Sequence, residues 1–144
     1  MDVRFTSPTT LADALTAAAA GSRPVAGGTD LVVGTRQGKW SLPENLVALD
    51  RIAELRGIVR TADGLRIGAT TSHAELADHP DIRERWTAIA DAASIVGSPA
   101  TRHVGTLGGN IANAIARAIG TPVLELPMTP ERVFDAMASK SREA

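Results

Sequence analysis

The sequence predicts a fold of the α/β (α+β) class whose N-terminal part is a βαβ unit. Short apolar runs suited to buried strands alternate with segments whose apolar residues recur at helical spacing. The 144 residues, 44% of them hydrophobic and 22% charged, are enough for one globular domain with a single core.

The first strand and the first helix are predicted at the N-terminus. Residues 3–5 form a short strand, and Ser7 followed by Pro8 is typical of a helix N-cap and first helical position. Gly21 is expected to end this helix. The apolar face of the helix is predicted to consist of Leu11, Ala14, Leu15 and Ala18.

A second and a third strand follow. Residues 24–26 are predicted to form a strand that leads into a glycine-rich loop, and a short helix begins near residues 31–33 with its N-terminus facing that loop. Residues 45–49 form an apolar run short enough for a buried strand. Residues 52–55 supply a helical turn.

A β-hairpin is predicted after this turn. Residues 58–60 and 65–67 flank the dipeptide Asp63-Gly64, which suits a tight turn because both residue types tolerate positive φ.

Two helices are predicted beyond the hairpin. Ser72 and Glu75 have the spacing of a capping box, which predicts a short helix over residues 72–77. Residues 83–96 carry apolar side chains at helical spacing, with Trp86 in the core, and residues 97–99 end this helix.

The sequence changes in character after Ala114. Residues 115–119 continue as an alanine-rich helix. Residues 123–126 form a strand-like run, and residues 129–137 are predicted to form a last helix.

Composition excludes several classes of function. A net charge of −1 provides no basic surface for nucleic acid, and the absence of cysteine excludes disulfides, iron–sulfur ligation and thiol catalysis by this chain. The N-terminus has no signal-peptide pattern, and no apolar run approaches the roughly 20 residues of a membrane span. We therefore expect a cytoplasmic protein.

Two glycine loops carry the candidate chemistry: residues 25–31 and residues 104–110. Each is predicted to join an apolar segment to a helix start, where free backbone N–H groups converge on an anion. Tight turns explain a Gly-Gly pair equally well, so both interpretations stay open at this point. Neither loop has the spacing of a P-loop or of the G-x-G-x-x-G motif.

The histidines do not form a recognisable catalytic or metal site. His73, Glu75 and His79 lack the spacing of a zinc-binding helix, and we expect these helix-end side chains to face water. His103 adjoins the second loop and is expected to be a surface histidine, although it could approach a phosphate. No catalytic residue and no metal ligand is predicted.

Four segments, in this order along the chain, resemble the FAD-binding medium subunit of the molybdenum hydroxylases, of the carbon monoxide dehydrogenase and xanthine dehydrogenase type. They are Ser7-Pro8, residues 25–31, residues 67–73 and residues 101–110. The resemblance implies a flavin-binding fold of the molybdopterin dehydrogenase type, with the first loop wrapped around the FAD pyrophosphate.

The resemblance also implies the residues that contact FAD and the role of the cofactor. In such enzymes FAD receives electrons from the molybdenum centre through iron–sulfur clusters and passes them to an acceptor, so the implied partners are a molybdenum-binding large subunit and an iron–sulfur small subunit. The implied cofactor contacts are Ala26, Gly27, Gly28, Thr29, Asp30, Leu31, Thr70, Gly105, Thr106, Gly108, Gly109 and Asn110.

The resemblance to this subunit ends near Ala114. Residues 1–114 are predicted to be an incomplete FAD-binding domain, and residues 115–144 form a tail. The segment from about residue 111 resembles the C-terminus of the large subunit of the same enzymes. Three functions remain open: an electron-transfer module that is inactive alone, a truncated or fused remnant that acts as a structural protein, or a generic binder of phosphate ligands without redox chemistry.

Overall fold

The computed structural model describes residues 3–119 and confirms the mixed α/β class. The strands are β1 (Arg4–Thr6), β2 (Arg23–Val25), β3 (Asn45–Ala48), β4 (Ile58–Arg60) and β5 (Leu65–Ile67). The helices are α1 (Leu11–Ala19), α2 (Thr29–Arg36), α3 (His73–Asp78), α4 (Pro80–Arg85), α5 (Thr87–Ser94), α6 (Pro99–Val104) and α7 (Leu107–Ile119), with a 3₁₀ turn at Ala53–Leu55. The strand predicted at 123–126 and the helix predicted at 129–137 lie outside the described residues.

The N-terminal half contains a parallel sheet of strand order β1-β3-β2. Strand β3 is central and largely buried, as its continuous apolar sequence predicts. Pro24 lies on edge strand β2 opposite Val47, where the missing N–H of a proline is tolerated. Helix α1 packs on β2 and β3. The first core contains Ala14, Val47, Leu49 and Ile52.

Helix α1 begins later than predicted. Its N-cap is Thr10, whose hydroxyl accepts the Asp13 N–H at 3.2 Å and donates to the Asp13 carboxylate at 2.6 Å. The prediction of Ser7 and Pro8 at the helix start was therefore wrong. Thr10 can form the reciprocal pair with Asp13 because the two residues are separated by one helical turn.

The hairpin and the capping box are confirmed. Strands β4 and β5 pair antiparallel around the predicted turn. In the capping box, the Ser72 hydroxyl accepts the Glu75 N–H at 3.2 Å, and the Ser72 N–H donates to the Glu75 carboxylate at 2.8 Å.

The single helix predicted over residues 83–96 is two helices. The chain leaves the helical conformation at Trp86, with φ of −131° and ψ of 47°, between α4 and α5. The Trp86 side chain packs against the second core, which confirms its predicted core position. The buried residues of that core are Leu76, Ile82, Ala90 and Ala93.

Two further helices differ from the prediction. Ser98 and Pro99, predicted to end a helix, instead form the N-cap and first position of α6. Helix α7 runs without a break from Leu107 to Ile119, so it passes through Ala114. No helix of residues 3–119 is long and apolar enough to cross a membrane.

Candidate functional site

The first glycine loop presents a row of free backbone donors. It connects β2 to α2, and Gly28 is the α2 N-cap in the left-handed conformation, with φ of +66°. The backbone N–H groups of residues 27–31 find no acceptor within residues 3–119. Consecutive free N–H groups at a helix N-terminus form an anion-binding arrangement, so this loop has the geometry that the sequence predicts.

Gly27 brings the two glycine loops together. A Cβ atom at position 27 would lie 2.0 Å from the carbonyl oxygen of Val104 and 3.0 Å from the Cα of Gly105. Real Cβ atoms do not approach a backbone oxygen so closely. The backbones of the two loops are therefore in direct contact at this point, and only glycine permits that contact.

The second loop is built differently from the first. It joins α6 to α7, not a strand to a helix, and most of its N–H groups already donate within the chain. The Leu107 N–H donates to the Thr71 carbonyl at 3.0 Å, and the Gly108 N–H donates to the Ala69 carbonyl at 2.9 Å. The prediction that both loops offer rows of free donors was thus wrong for this one.

The glycines of the second loop serve close packing. A Cβ atom on Gly108 would lie 2.7 Å from the Ala69 carbonyl oxygen, and one on Gly105 would lie 3.0 Å from the Thr101 carbonyl oxygen. Thr106 caps α7, because its hydroxyl accepts the Gly109 N–H at 3.3 Å. This loop is held against the segment that precedes α3.

A cavity of about 400 Å³, here called the loop cavity, opens between the two loops. Ten of the twelve predicted cofactor contacts line it: Ala26, Gly27, Gly28, Thr29, Asp30, Leu31, Gly105, Thr106, Gly109 and Asn110. The other two predicted contacts, Thr70 and Gly108, do not line this cavity.

Thr70 lines a second cavity of about 720 Å³. This second cavity shares Val25, Ala26, Gly27 and Thr106 with the loop cavity, so the two spaces meet at the contact between the glycine loops. The Thr70 hydroxyl donates to the Leu55 carbonyl at 2.8 Å. Only the lone pairs of its oxygen remain to accept a hydrogen bond from a ligand.

Asp30 is the acidic side chain in the loop cavity. Its carboxylate accepts a hydrogen bond from the side-chain amide of Asn113 on α7, which ties the N-terminus of α2 to α7. An anion beside the first loop would be repelled by this carboxylate. The backbone N–H of Asp30 is therefore the group that suits an anionic ligand.

His73 is a residue whose burial the sequence did not indicate. We expected it to face water, but it is only 4% exposed and its side chain lines the loop cavity. Burial lowers the pKa of His73, and the nearby Asp30 carboxylate partly opposes this effect. The imidazole is thus neutral near pH 7, because burial disfavours its charged form.

The other histidines do not line the loop cavity. His103 is exposed on α6, where it lines the second cavity, with its Nδ1 atom 2.9 Å from the Pro99 carbonyl oxygen. Within residues 3–119, no three His, Cys, Asp or Glu side chains group closely enough to hold a metal ion.

Sequence reasoning missed several residues of the loop cavity, among them Arg23, Trp40, His73 and Asn113. The position of Arg23 two residues before the first loop was a usable signal, because a strand that enters a loop places its last residues beside it. Trp40 and Asn113 gave no such signal, since folding brings them to the loop from later in the chain.

Comparison with known proteins identifies the fold family. The family described as "FAD binding domain in molybdopterin dehydrogenase" matches residues 1–126. The chain is 34% identical over 100 residues to the nicotinate dehydrogenase FAD-subunit of Eubacterium barkeri, covering 69% of this chain and 33% of that protein. It is 34% identical over 130 residues to a putative xanthine dehydrogenase FAD-binding subunit of Escherichia coli, covering 88% and 42%.

The fold is also similar to a solved structure. The carbon monoxide dehydrogenase of Hydrogenophaga pseudoflava, in a form that lacks the Mo-pyranopterin moiety, superposes with a TM-score of 0.73 at 30% identity. The match covers 78% of this chain and 40% of the matched chain. The chain thus spans less than half the length of the proteins that it resembles.

Proposed function

This chain belongs to the family of FAD-binding domains of molybdopterin dehydrogenases, and from this premise we propose that its first glycine loop binds the diphosphate of FAD. The observation that carries the proposal is the row of free N–H groups at residues 27–31. Each hydrogen bond to a charged acceptor contributes about 1.5–3 kcal/mol, so several together hold a dinucleotide.

The residues of this loop fit a diphosphate. Gly27 allows the second loop to approach, so that the loop cavity forms between the two backbones, and α2 directs its positive N-terminal end toward this cavity. The Asp30 carboxylate is engaged by Asn113, so Asp30 takes part through its backbone N–H.

The remaining predicted contacts take two roles in this proposal. Thr106 and Asn110 lie at the start of α7 and face the loop cavity, where they add polar contacts to FAD. Thr70 accepts a hydrogen bond from the cofactor in the second cavity. Gly105, Gly108 and Gly109 act through the shape that they give to the second loop.

FAD, when bound, supplies one-electron and two-electron transfer. The chain itself binds the cofactor and orients it. We propose that it passes electrons from a molybdenum-binding subunit and an iron–sulfur subunit to an acceptor. The proposal is motivated by a relative from Hydrogenophaga pseudoflava that is named a carbon monoxide dehydrogenase medium chain. A medium chain is one of several subunits of its enzyme. This role requires no general acid or base from the chain.

We retain the proposal that residues 1–114 form the FAD-binding domain and residues 115–144 a tail of different origin. Helix α7 spans this boundary. Limited proteolysis with and without FAD tests the division. Cleavage in the tail that leaves residues 1–114 intact and still able to bind FAD supports it, whereas loss of FAD binding on removal of the tail contradicts it.

Titration of the purified chain with FAD tests the proposed function. We expect one FAD to bind saturably, as measured by the change in flavin fluorescence. We expect Gly28→Ala to weaken binding about tenfold, because the left-handed conformation costs alanine roughly 1–2 kcal/mol and the free loop relieves this cost by leaving the conformation that presents its N–H groups. Gly28→Asn is the matched control and retains most affinity, because asparagine tolerates this conformation. No uptake of FAD at high micromolar concentration would favour a remnant without cofactor.

A further inference from the structure

We propose that Trp40 provides the stacking surface for a planar ring of FAD in the loop cavity. This inference rests on the proposed function, since it assumes that the diphosphate lies at the first glycine loop. It adds a residue that selects the ligand by its ring system, whereas the loop itself recognises only charge.

Trp40 is held beside the donors of the first loop. Its indole N–H donates to the carbonyl of Leu31 at 3.4 Å, and Leu31 is the last residue of the row with free N–H groups. The Trp40 side chain lines the loop cavity. An aromatic ring system is thus anchored to the last residue of the row that carries the proposed diphosphate contacts.

Gly34 sets the position of the indole. A Cβ atom on this residue of α2 would lie 1.9 Å from Cζ2 of Trp40 and 2.2 Å from its Cε2. The indole therefore packs directly onto the backbone of α2, which leaves other parts of the ring exposed. Such packing restricts the ring before a ligand arrives, so less conformational entropy is lost on binding.

The exposure of Trp40 is not explained by the core. Its exposed fraction is 42%, whereas the other tryptophan of the chain, Trp86, packs against the second core. A large aromatic surface at the edge of a cavity that also offers anion-binding amides matches a nucleotide or a flavin. Both contain a planar heteroaromatic ring linked to phosphate, and stacking on an aromatic side chain is favourable for either ring.

Isothermal titration calorimetry with four ligands tests the inference on the full chain. FAD carries both rings, ADP carries adenine, FMN carries the flavin, and inorganic pyrophosphate carries neither. We expect Trp40→Ala to weaken FAD binding about 5- to 150-fold, the range found for loss of one stacked base. Trp40→Phe retains most of the affinity, and pyrophosphate binding is unchanged in both variants.

The ADP and FMN measurements identify the ring that stacks. If adenine stacks on Trp40, the Trp40→Ala substitution weakens the binding of ADP and leaves the binding of FMN unchanged. If the flavin stacks there, the same substitution weakens the binding of FMN and leaves the binding of ADP unchanged. Either pattern supports the inference, because it requires only that one planar ring contacts the indole.

A second variant perturbs the ring position without removing Trp40. Gly34→Ala places a methyl group where the indole lies, at a helical position without positive φ, so the ring must move. We expect it to weaken FAD as Trp40→Ala does. Val32→Ala is the matched control, because Val32 is half-exposed on the same helix and does not line the loop cavity.

The outcomes separate this inference from the proposed function. FAD binding by wild type, with Trp40→Ala within twofold of it, overturns the stacking role and leaves the proposed function standing. An equal loss of affinity for FAD and for pyrophosphate in Trp40→Ala also overturns the stacking role, because the substitution has then disturbed the first glycine loop. Absence of FAD binding by wild type overturns the proposed function and this inference together.

Discussion

Gly27 is the residue on which the contact between the two glycine loops depends. We expect Gly27→Ala to reduce both stability and FAD affinity, because its Cβ would lie 2.0 Å from the Val104 carbonyl oxygen and force the loops apart. The expected loss of unfolding free energy is about 1–3 kcal/mol, typical of overpacking, measured by urea denaturation.

Gly38→Ala is a control for a glycine substitution outside the site. Gly38 lies just after α2 and has no atom within 4 Å of an added Cβ, but it has φ of +68°, whereas Gly27 has no positive φ. Its alanine variant therefore has only the backbone cost of positive φ, about 1 kcal/mol, with FAD affinity unchanged. If Gly27→Ala binds FAD as tightly as Gly38→Ala, contact between the loops is not needed for the site.

His73 gives the protein a pH-dependent stability. Because burial lowers its pKa in the folded state, the unfolded chain binds more protons below the ordinary value of about 6.5. We expect the contribution of neutral His73 to the free energy of unfolding to be complete above that pH. This contribution falls as the pH is lowered through the folded-state pKa. Chemical denaturation at a series of pH values above and below about 6.5 measures it.

His73→Gln should remove this pH dependence, whereas the exposed His103→Gln should preserve it. If the free energy of unfolding of His73→Gln varies with pH as it does in the wild type, the effect comes from another group. FAD adds a second readout, because a diphosphate in the same cavity would raise the pKa of His73 and produce proton uptake on binding.

At the scale of elements, the capping box holds α3 between the two cavities. Ser72→Ala removes the hydroxyl that accepts the Glu75 N–H and donates to the Glu75 carboxylate at 2.7 Å. We expect a loss of about 1 kcal/mol in urea denaturation. Ser94→Ala, at the exposed end of α5, is the control and should change stability by less than about 0.5 kcal/mol. Equal losses in both variants would contradict a special role for the capping box.

The elements that the sequence predicts correctly are those with local causes. The hairpin depends on Asp63-Gly64, and α3 depends on Ser72 and Glu75, so residues within one turn determine each. The break at Trp86 was not predictable in this way. At this position the Trp86 ring packs against a core whose residues come from several elements, and such tertiary packing overrides local helix propensity.

In the candidate site too, the features with local causes are predictable from the sequence and the tertiary features are not. Free donors at residues 27–31 follow from a local glycine pair before a helix, and the sequence predicts them. The bonds from the second loop to residues 69 and 71 join segments more than 30 residues apart in the chain, which no local pattern reveals. The burial of His73 and the placement of Trp40 in the loop cavity likewise depend on tertiary contacts that no local pattern reveals.

At the scale of the whole molecule, the sheet and the helices bring two unlike loops together. The first loop offers free donors, and the second holds its own donors in bonds that fix its shape against the first. Binding of FAD to the folded state alone should raise the melting temperature, by an amount that grows with the concentration of FAD above its Kd. A melting temperature that does not respond to FAD would contradict such binding.

The most direct test of the account follows the backbone amides themselves. In ¹H–¹⁵N correlation spectra of the chain, FAD or ADP at saturation should shift the amide resonances of residues 27–31 strongly, because these N–H groups gain acceptors. The amides of Leu107 and Gly108, which already donate within the chain, should shift little. Unmoved resonances at residues 27–31 with FAD bound would contradict the claim that the first loop holds the diphosphate.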